Sequence, residues 1–288
     1  MKLCNAPFYL DVTLCCGQVF RWDKVGNWWY GVATNKVFKT CQIGDKFEYS
    51  NVDEKFITNY FSLDEDLQKI ADSVNKDSHI AKVLKEYWGL RLIRQDPWEC
   101  LISYICATYK NIAAIKHMLN NIAQKFGEKI NFDGKEFYTF PTCKQLSTAT
   151  EQNLADCGLG YRAKYVLATS KKIQQDNFSF DKLRKQSYEE AKATLVEFPG
   201  VGAKVADCVL LFSLGKTEAF PVDVWVKRVV LNHYSEKLPA DLAKKLNLKH
   251  DSLSSGDYEK LNQFGRDYFG QYAGYAQEYL YHHERLTL

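Results

Sequence analysis

Short segments rich in aromatic and β-branched residues follow one another between residues 17 and 50. They read GQVFRW, NWWYGVA, KVFKTCQ and KFEYS. Turn-forming residues separate them at Val25-Gly26-Asn27, Thr34-Asn35 and Gly44-Asp45. Segments of this length and composition, joined by turns of two or three residues, are typical of neighbouring β-strands. The pattern therefore predicts an antiparallel meander near the N-terminus.

From about residue 53 the apolar positions recur with the period of a helix. Three capping residues predict where helices begin: Asp96, which precedes a proline, Asn111, and Ser187, which has Glu190 three residues further on. A side chain of this kind accepts a hydrogen bond from a free N–H of the first helical turn. Gly127 suits the end of the helix that starts after Asn111.

The predicted fold class is α+β, with a small antiparallel β N-terminal domain followed by a mostly α-helical body. We place the first domain at residues 1–90 and the second at residues 91–288. A chain of 288 residues is long enough for two modest domains. Apolar residues make up 46% and charged residues 25% of the chain, as in ordinary globular proteins.

Charge and hydropathy place few limits on the partner. The formal net charge of +3, from 38 basic and 35 acidic residues, neither demands nor excludes a nucleic acid. No apolar run approaches the roughly 20 residues of a membrane span. We expect an intracellular, soluble monomer without a membrane partner, located in the cytoplasm or nucleoid of a prokaryote or in the nucleus of a eukaryote.

The nine cysteines are an odd number, and no secretory signal precedes them. We interpret them as free thiols in a reducing compartment. The sequence has no CxxC pair, no HExxH motif and no closely spaced group of four cysteines near the C-terminus. We therefore expect neither a structural zinc nor an iron–sulfur cluster, and no cofactor.

Two helical patterns meet at Pro199-Gly200-Val201-Gly202, which predicts a helix–hairpin–helix. Gly200 and Gly202 let the backbone approach a phosphate closely, and the first N–H groups of the second helix point outward. Such donors bind the DNA backbone without reading its sequence. An ordinary helical corner would contain the same four residues, so this motif alone leaves both interpretations open.

Lys204 and Asp223 are the candidate catalytic pair. Lys204 lies in the first turn of the second hairpin helix, where the positive end of the helix dipole favours the neutral, nucleophilic amine. Asp223 suits a helix N-cap, which would hold its carboxylate rigidly. A fixed carboxylate stabilises the positive charge that develops on a sugar when an N-glycosidic bond breaks. Taken singly, each residue would be interpreted as structural: Lys204 as a solvated surface lysine and Asp223 as a helix cap.

The stretch LVEFPGVGAKVADCVLLFSLGKTEAFPVDV closely resembles the core of the 8-oxoguanine DNA glycosylase/lyases, within the endonuclease III-like helix–hairpin–helix superfamily. Segments that begin at Cys16, Arg91, Gly158 and Tyr272 match further blocks of that family. The resemblance implies a bifunctional DNA glycosylase and abasic-site lyase that acts in base excision repair on double-stranded DNA containing oxidised guanine. It assigns the Schiff-base lysine to Lys204 and the catalytic aspartate to Asp223.

The resemblance also implies how a flipped base would be recognised. The carbonyl of Gly17 would accept a hydrogen bond from the N7 hydrogen that distinguishes oxidised guanine from guanine. Cys208 and Tyr281 would sandwich the base, and Gln277 would bind its pairing edge. Without the resemblance, Cys208 and Tyr281 would be taken for core residues.

Further implied roles concern the DNA around the lesion. Tyr161 would fill the gap that the flipped nucleotide leaves in the base stack, and Arg162 would contact the base left behind on the opposite strand. Asn111 would also contact the DNA. Gly158 and Gly160 place Tyr161 on a loop rather than in the core.

Three positions depart from the best-known members. Tyr109-Lys110 stands where they have asparagines, Ala114 replaces an arginine that reads the opposite cytosine, and Trp225 replaces a phosphate-binding histidine. We therefore predict a relaxed preference for the opposite base.

Three alternatives follow from the same scaffold. An alkylpurine glycosylase usually lacks the lysine, and an oxidised-pyrimidine glycosylase usually carries an iron–sulfur cluster, so Lys204 and the missing cysteine cluster weigh against each. A non-catalytic DNA-binding module would not need Lys204 and Asp223 together.

Overall fold

The computed structural model describes residues 2–3, 6–248 and 253–287, and its N-terminal part contains a five-stranded antiparallel sheet. The strand order is β1-β5-β4-β3-β2, and a separate two-stranded hairpin, β6-β7, lies further along the chain. The strand bounds are β1 Lys2–Leu3, β2 Trp22–Val25, β3 Trp28–Ala33, β4 Lys36–Ile43, β5 Lys46–Ser50, β6 Lys129–Phe132 and β7 Lys135–Tyr138.

The α+β fold class is confirmed, and a mostly helical body follows the sheet. The helices are α1 Leu10–Cys15, α2 Glu54–Tyr60, α3 Leu67–Val74, α4 Ser78–Glu86, α5 Pro97–Ala107, α6 Ile112–Phe126, α7 Cys143–Ser147, α8 Glu151–Leu154, α9 Arg162–Gln175, α10 Phe180–Lys185, α11 Tyr188–Val196, α12 Ala203–Leu214, α13 Val224–Tyr234, α14 Ala240–Asn247, α15 Ser255–Phe269 and α16 Ala273–Thr287.

The predicted meander is confirmed for three of its four segments. In β3 and β4, Trp29 pairs with Thr40, and in β4 and β5 Thr40 pairs with Tyr49. The first segment differs, because residues 17–21 form a loop and only Trp22 enters β2. The positive φ of +104° at Gly17 turns the backbone out of an extended path.

Capping residues start the helices as their sequence positions predict. Asp96 accepts a hydrogen bond from the backbone N–H of Glu99, and Asn111 accepts one from that of Ala114. The α11 helix starts with a complete capping box at Ser187. The pattern did not reveal α1 or the β6-β7 hairpin, because both consist of short segments with weak periodicity.

Two apolar clusters divide the core. The smaller one lies under the sheet and includes Trp22, Phe38 and Phe61. The larger one fills the helical body, and α3 and α4 contribute Ile70, Ile80 and other side chains to it. Helices from before residue 90 thus pack into the same core as the C-terminal helices, which fixes the N-terminal part against the body.

Eight cysteines lie in the described part of the chain and are free thiols, whereas Cys4 lies outside it. Within the described ranges, no three His, Cys, Asp or Glu side chains are arranged to hold a metal ion. The helices of this part of the chain are too short or too polar to cross a membrane.

Candidate active site

A cavity of about 760 Å³ opens where the N-terminal part, the hairpin and the C-terminal helix meet. Nine of the eleven site residues predicted from the sequence line it: Gly17, Asn111, Gly200, Gly202, Lys204, Cys208, Asp223, Gln277 and Tyr281. A volume of this order is typical of small-molecule and cofactor pockets and accommodates a purine with part of its sugar.

The hairpin presents a glycine-rich turn beside the cavity. Gly200 has a φ of +81°, and a β-carbon there would lie 2.7 Å from the Cβ of Tyr165. Both the left-handed backbone and the close contact therefore require glycine. Gly202 is the exposed N-cap of α12 and provides no side-chain cap, so the first N–H groups of that helix are available to an anion.

Lys204 is the second residue of α12 and is half-buried at the cavity wall. Its Nζ lies 5.2 Å from the centroid of the Tyr104 ring, which belongs to α5. An aromatic face beside the ammonium group limits where the side chain can move. The amine is therefore directed along the cavity wall rather than into bulk solvent.

Asp223 is the N-cap of α13, as its sequence position suggests. Its Oδ1 accepts hydrogen bonds of 2.9 Å from the backbone N–H groups of Trp225 and Val226. Burial raises the pKa of this carboxyl, while the charge of Lys204 and the two N–H donors act in the opposite direction. The carboxylate is thus fixed by the backbone and lies within electrostatic reach of the lysine.

The residues expected to recognise a base surround the same cavity. A β-carbon at Gly17 would lie 3.2 Å from Cε1 of Tyr281, so the loop and the C-terminal helix α16 are in direct contact there. Gln277 is 4% exposed, and its buried Oε1 accepts no hydrogen bond within the described part of the chain. Burial raises the pKa of the Cys208 thiol to about 12, which keeps it protonated and apolar in character.

Gln18 holds the Gly17 loop in place and was not identified from the sequence. Its Nε2 donates to the carbonyl oxygens of Thr13 and Arg91, and its Oε1 accepts from the N–H of Ile93 at 2.7 Å. The hydroxyl of Tyr104 donates to the Gln18 carbonyl at 3.3 Å. The only sequence signal was its position next to Gly17, inside a segment that resembled a strand.

Glu278 is a second residue of the cavity that no sequence pattern indicated. It lines the cavity, is 2% exposed, and its Oε1 has no hydrogen-bond partner within the described residues. Burial raises its pKa to about 7, against the lowering effects of the Cys16 thiol, Arg285 and Lys204. A carboxyl group that is close to half protonated at neutral pH therefore forms part of the wall.

A buried carboxylate anchors α12 to two neighbouring helices. Asp207 accepts hydrogen bonds from the hydroxyls of Tyr188 and Tyr258, both at 2.5 Å, and from Nδ2 of Asn262 at 3.0 Å. Lys192 adds an ion pair at 3.2 Å. This network ties α11 and α15 to the helix that carries Lys204. An aspartate in the middle of a largely apolar helix was the sequence signal that could have revealed it.

Tyr161 and Arg162 lie outside the lining of the cavity. Tyr161 is the N-cap of α9 and is 52% exposed, which agrees with a loop position rather than a core position. Arg162 is only 4% exposed and donates to the carbonyl oxygens of Thr108 and Leu159. The contact predicted between Arg162 and an orphaned base stays a prediction, and its guanidinium is already engaged with the backbone.

Comparison with known proteins gives matches along most of the chain. The family model described as 8-oxoguanine DNA glycosylase, N-terminal domain, matches residues 2–101. The model described as HhH-GPD superfamily base excision DNA repair protein matches residues 102–262.

Curated relatives and solved structures agree with the two models. The N-glycosylase/DNA lyase of Saccharomyces cerevisiae is 32% identical over 94% of this chain and 83% of its own length. The N-glycosylase/DNA lyase OGG1 of Arabidopsis thaliana is 32% identical over 98% of this chain and 78% of its own. A structure of the Clostridium acetobutylicum 8-oxoguanine glycosylase/lyase with dsDNA containing cytosine opposite to 8-oxoG is 34% identical, with a TM-score of 0.87. That match covers 97% of this chain and 92% of the clostridial one.

Proposed function

The chain belongs to the 8-oxoguanine DNA glycosylases of the HhH-GPD superfamily, and on this premise we propose that it excises 8-oxoguanine from duplex DNA and cleaves the resulting abasic site through Lys204 and Asp223. One observation carries the proposal. The half-buried amine and the backbone-held carboxylate line one cavity of about 760 Å³ and interact electrostatically.

In the first step, Nζ of Lys204 attacks the anomeric carbon of the extruded nucleotide in its neutral form. A new C–N bond forms as the glycosidic bond breaks, and the base leaves with the bonding electron pair and a proton from the amine. Positive charge develops on the sugar ring in the transition state. The fixed carboxylate of Asp223 stabilises that charge without having to reorganise.

In the second step, the sugar ring opens and the covalent intermediate becomes a Schiff base on Lys204. The iminium group acidifies the neighbouring C2′ proton. Loss of that proton and β-elimination of the 3′ phosphate cleave the strand, and water then hydrolyses the Schiff base to free the lysine. No redox change occurs in either step.

Recognition of the base is assigned to other groups that line the same cavity. The Gly17 carbonyl would accept from the N7 hydrogen of the lesion, Cys208 and Tyr281 would enclose the ring, and Gln277 would pair with its edge. The unpartnered Oε1 of Gln277 supports this role, because a buried acceptor without a donor costs free energy unless a ligand supplies one.

Borohydride trapping on a duplex that carries 8-oxoguanine tests the proposal. Reduction should convert the Schiff base into a stable protein–DNA adduct, which Lys204→Gln should lose while it retains the helical circular dichroism of the parent. Lys85→Gln serves as the control, because Lys85 is an exposed lysine of α4 outside the cavity. An undiminished adduct in Lys204→Gln, or no adduct with the parent, would contradict the proposal.

A further inference from the structure

An unusually exposed tyrosine stands at the edge of the cavity. Tyr109 lies in the turn between α5 and α6, lines the cavity of Lys204 and is 89% exposed. Among the large apolar side chains of the described residues, this is the highest exposed fraction. A tyrosine ring that is this exposed at the edge of a cavity is available to stack on a partner that enters or borders the cavity.

The backbone of Tyr109 is also in a conformation that its side chain disfavours. Its φ is +54°, and among the described non-glycine residues with positive φ it is the only aromatic one. Asparagine or glycine would adopt this conformation at lower cost. The turn therefore presents a bulky ring where a smaller residue would fit the backbone better.

Arg162 contacts both segments that carry the exposed tyrosines Tyr109 and Tyr161. Its guanidinium donates to the carbonyl of Thr108, directly before Tyr109, and its Cζ lies 4.4 Å from the ring centroid of Tyr161. Because the arginine is buried, these contacts hold the two turns in a fixed relation. Two aromatic rings are thus presented to solvent from one rigid support, next to the cavity that would receive a flipped base.

We propose that Tyr109 is a second intercalating residue, whose ring stacks on the base opposite the lesion while Tyr161 fills the vacated position. Every base has an aromatic face, so stacking holds the opposite base without reading its hydrogen-bonding edge. This inference rests on the proposed function, because only an extruded nucleotide leaves an orphaned base.

The test uses the full-length protein and a duplex with 2-aminopurine opposite a tetrahydrofuran abasic analogue. Stacking quenches 2-aminopurine, so the bound fluorescence should stay low with the parent and with Tyr109→Phe. Tyr109→Asn removes the ring but suits the left-handed backbone, and it should raise the bound fluorescence severalfold and the Kd about tenfold, as expected for the loss of one stacked base. Tyr9→Asn, at an exposed tyrosine that does not line the cavity, is the control.

Unchanged fluorescence and Kd in Tyr109→Asn would overturn the inference. So would an equal loss in Tyr109→Phe, since stacking does not need the hydroxyl group. The borohydride experiment distinguishes a failure of this inference from a failure of the proposed function, because in the second case the parent protein would give no adduct on 8-oxoguanine DNA. Thermal unfolding of each variant excludes misfolding as the cause, and Tyr109→Asn should melt no lower than the parent.

Discussion

Replacing Glu278 by glutamine should make the protein more stable, and increasingly so as the pH rises. The carboxyl is buried in the cavity wall, and its Oε1 has no hydrogen-bond partner within the described residues. Burial raises its pKa to about 7 from an ordinary value of 4.5. Glutamine has nearly the same shape and carries no charge at any pH, so the pH-dependent part of the stability difference reports the titration of Glu278. The exchange of a carboxyl oxygen for an amide NH2 group adds an offset that does not vary with pH.

The direction in which stability changes with pH follows from the order of the two pKa values, about 7 in the folded protein and 4.5 in the unfolded chain. Because the folded state binds this proton more tightly than the unfolded state, the protein loses stability as the pH rises from 4.5 towards 7. Each tenfold change in proton affinity corresponds to about 1.36 kcal/mol, so the difference between 4.5 and 7 amounts to roughly 3 kcal/mol. Above pH 7 the penalty is fully present and should stay constant.

Urea denaturation at pH values from 5 to 8 measures this effect as the difference in unfolding free energy between Glu278→Gln and the parent. The difference should favour the variant by a few kcal/mol at pH 8 and shrink towards pH 5. His79 and His282, whose pKa values burial lowers to about 4, destabilise the protein as the pH falls below about 6.5, but they are common to both proteins and cancel.

Glu128→Gln is the matched control, because Glu128 is exposed and loses little hydration on folding. It should change the unfolding free energy by less than about 0.5 kcal/mol at every pH. A Glu278→Gln difference that does not vary with pH would refute the reasoning and would mean that the buried carboxyl is stabilised by contacts other than those described.

Three further outcomes follow from the site. Asp223→Asn keeps a good N-cap but removes the charge, so single-turnover excision should slow by on the order of 100-fold or more while the melting temperature changes little; an unchanged rate would show that the carboxylate does not stabilise the transition state. Gly17→Ala places a β-carbon 3.2 Å from Tyr281 at a φ of +104°, so stability should fall by about 1 kcal/mol and binding to 8-oxoguanine should weaken more than binding to an abasic site; equal weakening would argue against base recognition by the loop. Because Ala114 stands where an arginine would read the opposite cytosine, the excision rates opposite the four bases should differ by less than about tenfold, or 1.4 kcal/mol. Ala114→Arg should introduce a preference for cytosine. Strict cytosine dependence of the parent protein would contradict this prediction.

Sequence patterns predicted the parts of the fold that local chemistry determines. The caps at Asp96, Asn111 and Ser187 depend on side chains that act within three residues, and the turn at Gly200 depends on a backbone conformation that glycine adopts readily, so both are visible in a single sequence. Family resemblance then predicted Lys204 and Asp223 as the catalytic pair, and both line one cavity in the structure.

The rest of the site depends on contacts that no local pattern records. Gln18 bonds to residues more than 70 positions away. The exposed fractions of Tyr109 and Arg162 differ sharply, although Tyr109 lies in a turn and Arg162 directly follows one. The mistaken strand at residues 17–21 has the same origin. Its composition favours a strand, but the side chain of Gln18 provides the hydrogen bonds that a neighbouring strand would otherwise supply.

The contacts of Gln18 fix the width of the cavity in the protein itself, before any DNA binds. Its carbonyl accepts from the hydroxyl of Tyr104, and the same aromatic ring lies beside the amine of Lys204. The loop that contains Gly17 and Gln18 and the cavity wall that carries Lys204 are therefore both in contact with one buried aromatic residue, which limits how far their separation can change. Under the proposed function, a nucleotide that presents its N7 edge to the loop would bring its sugar to the amine, and a base of different outline would reach only one of them.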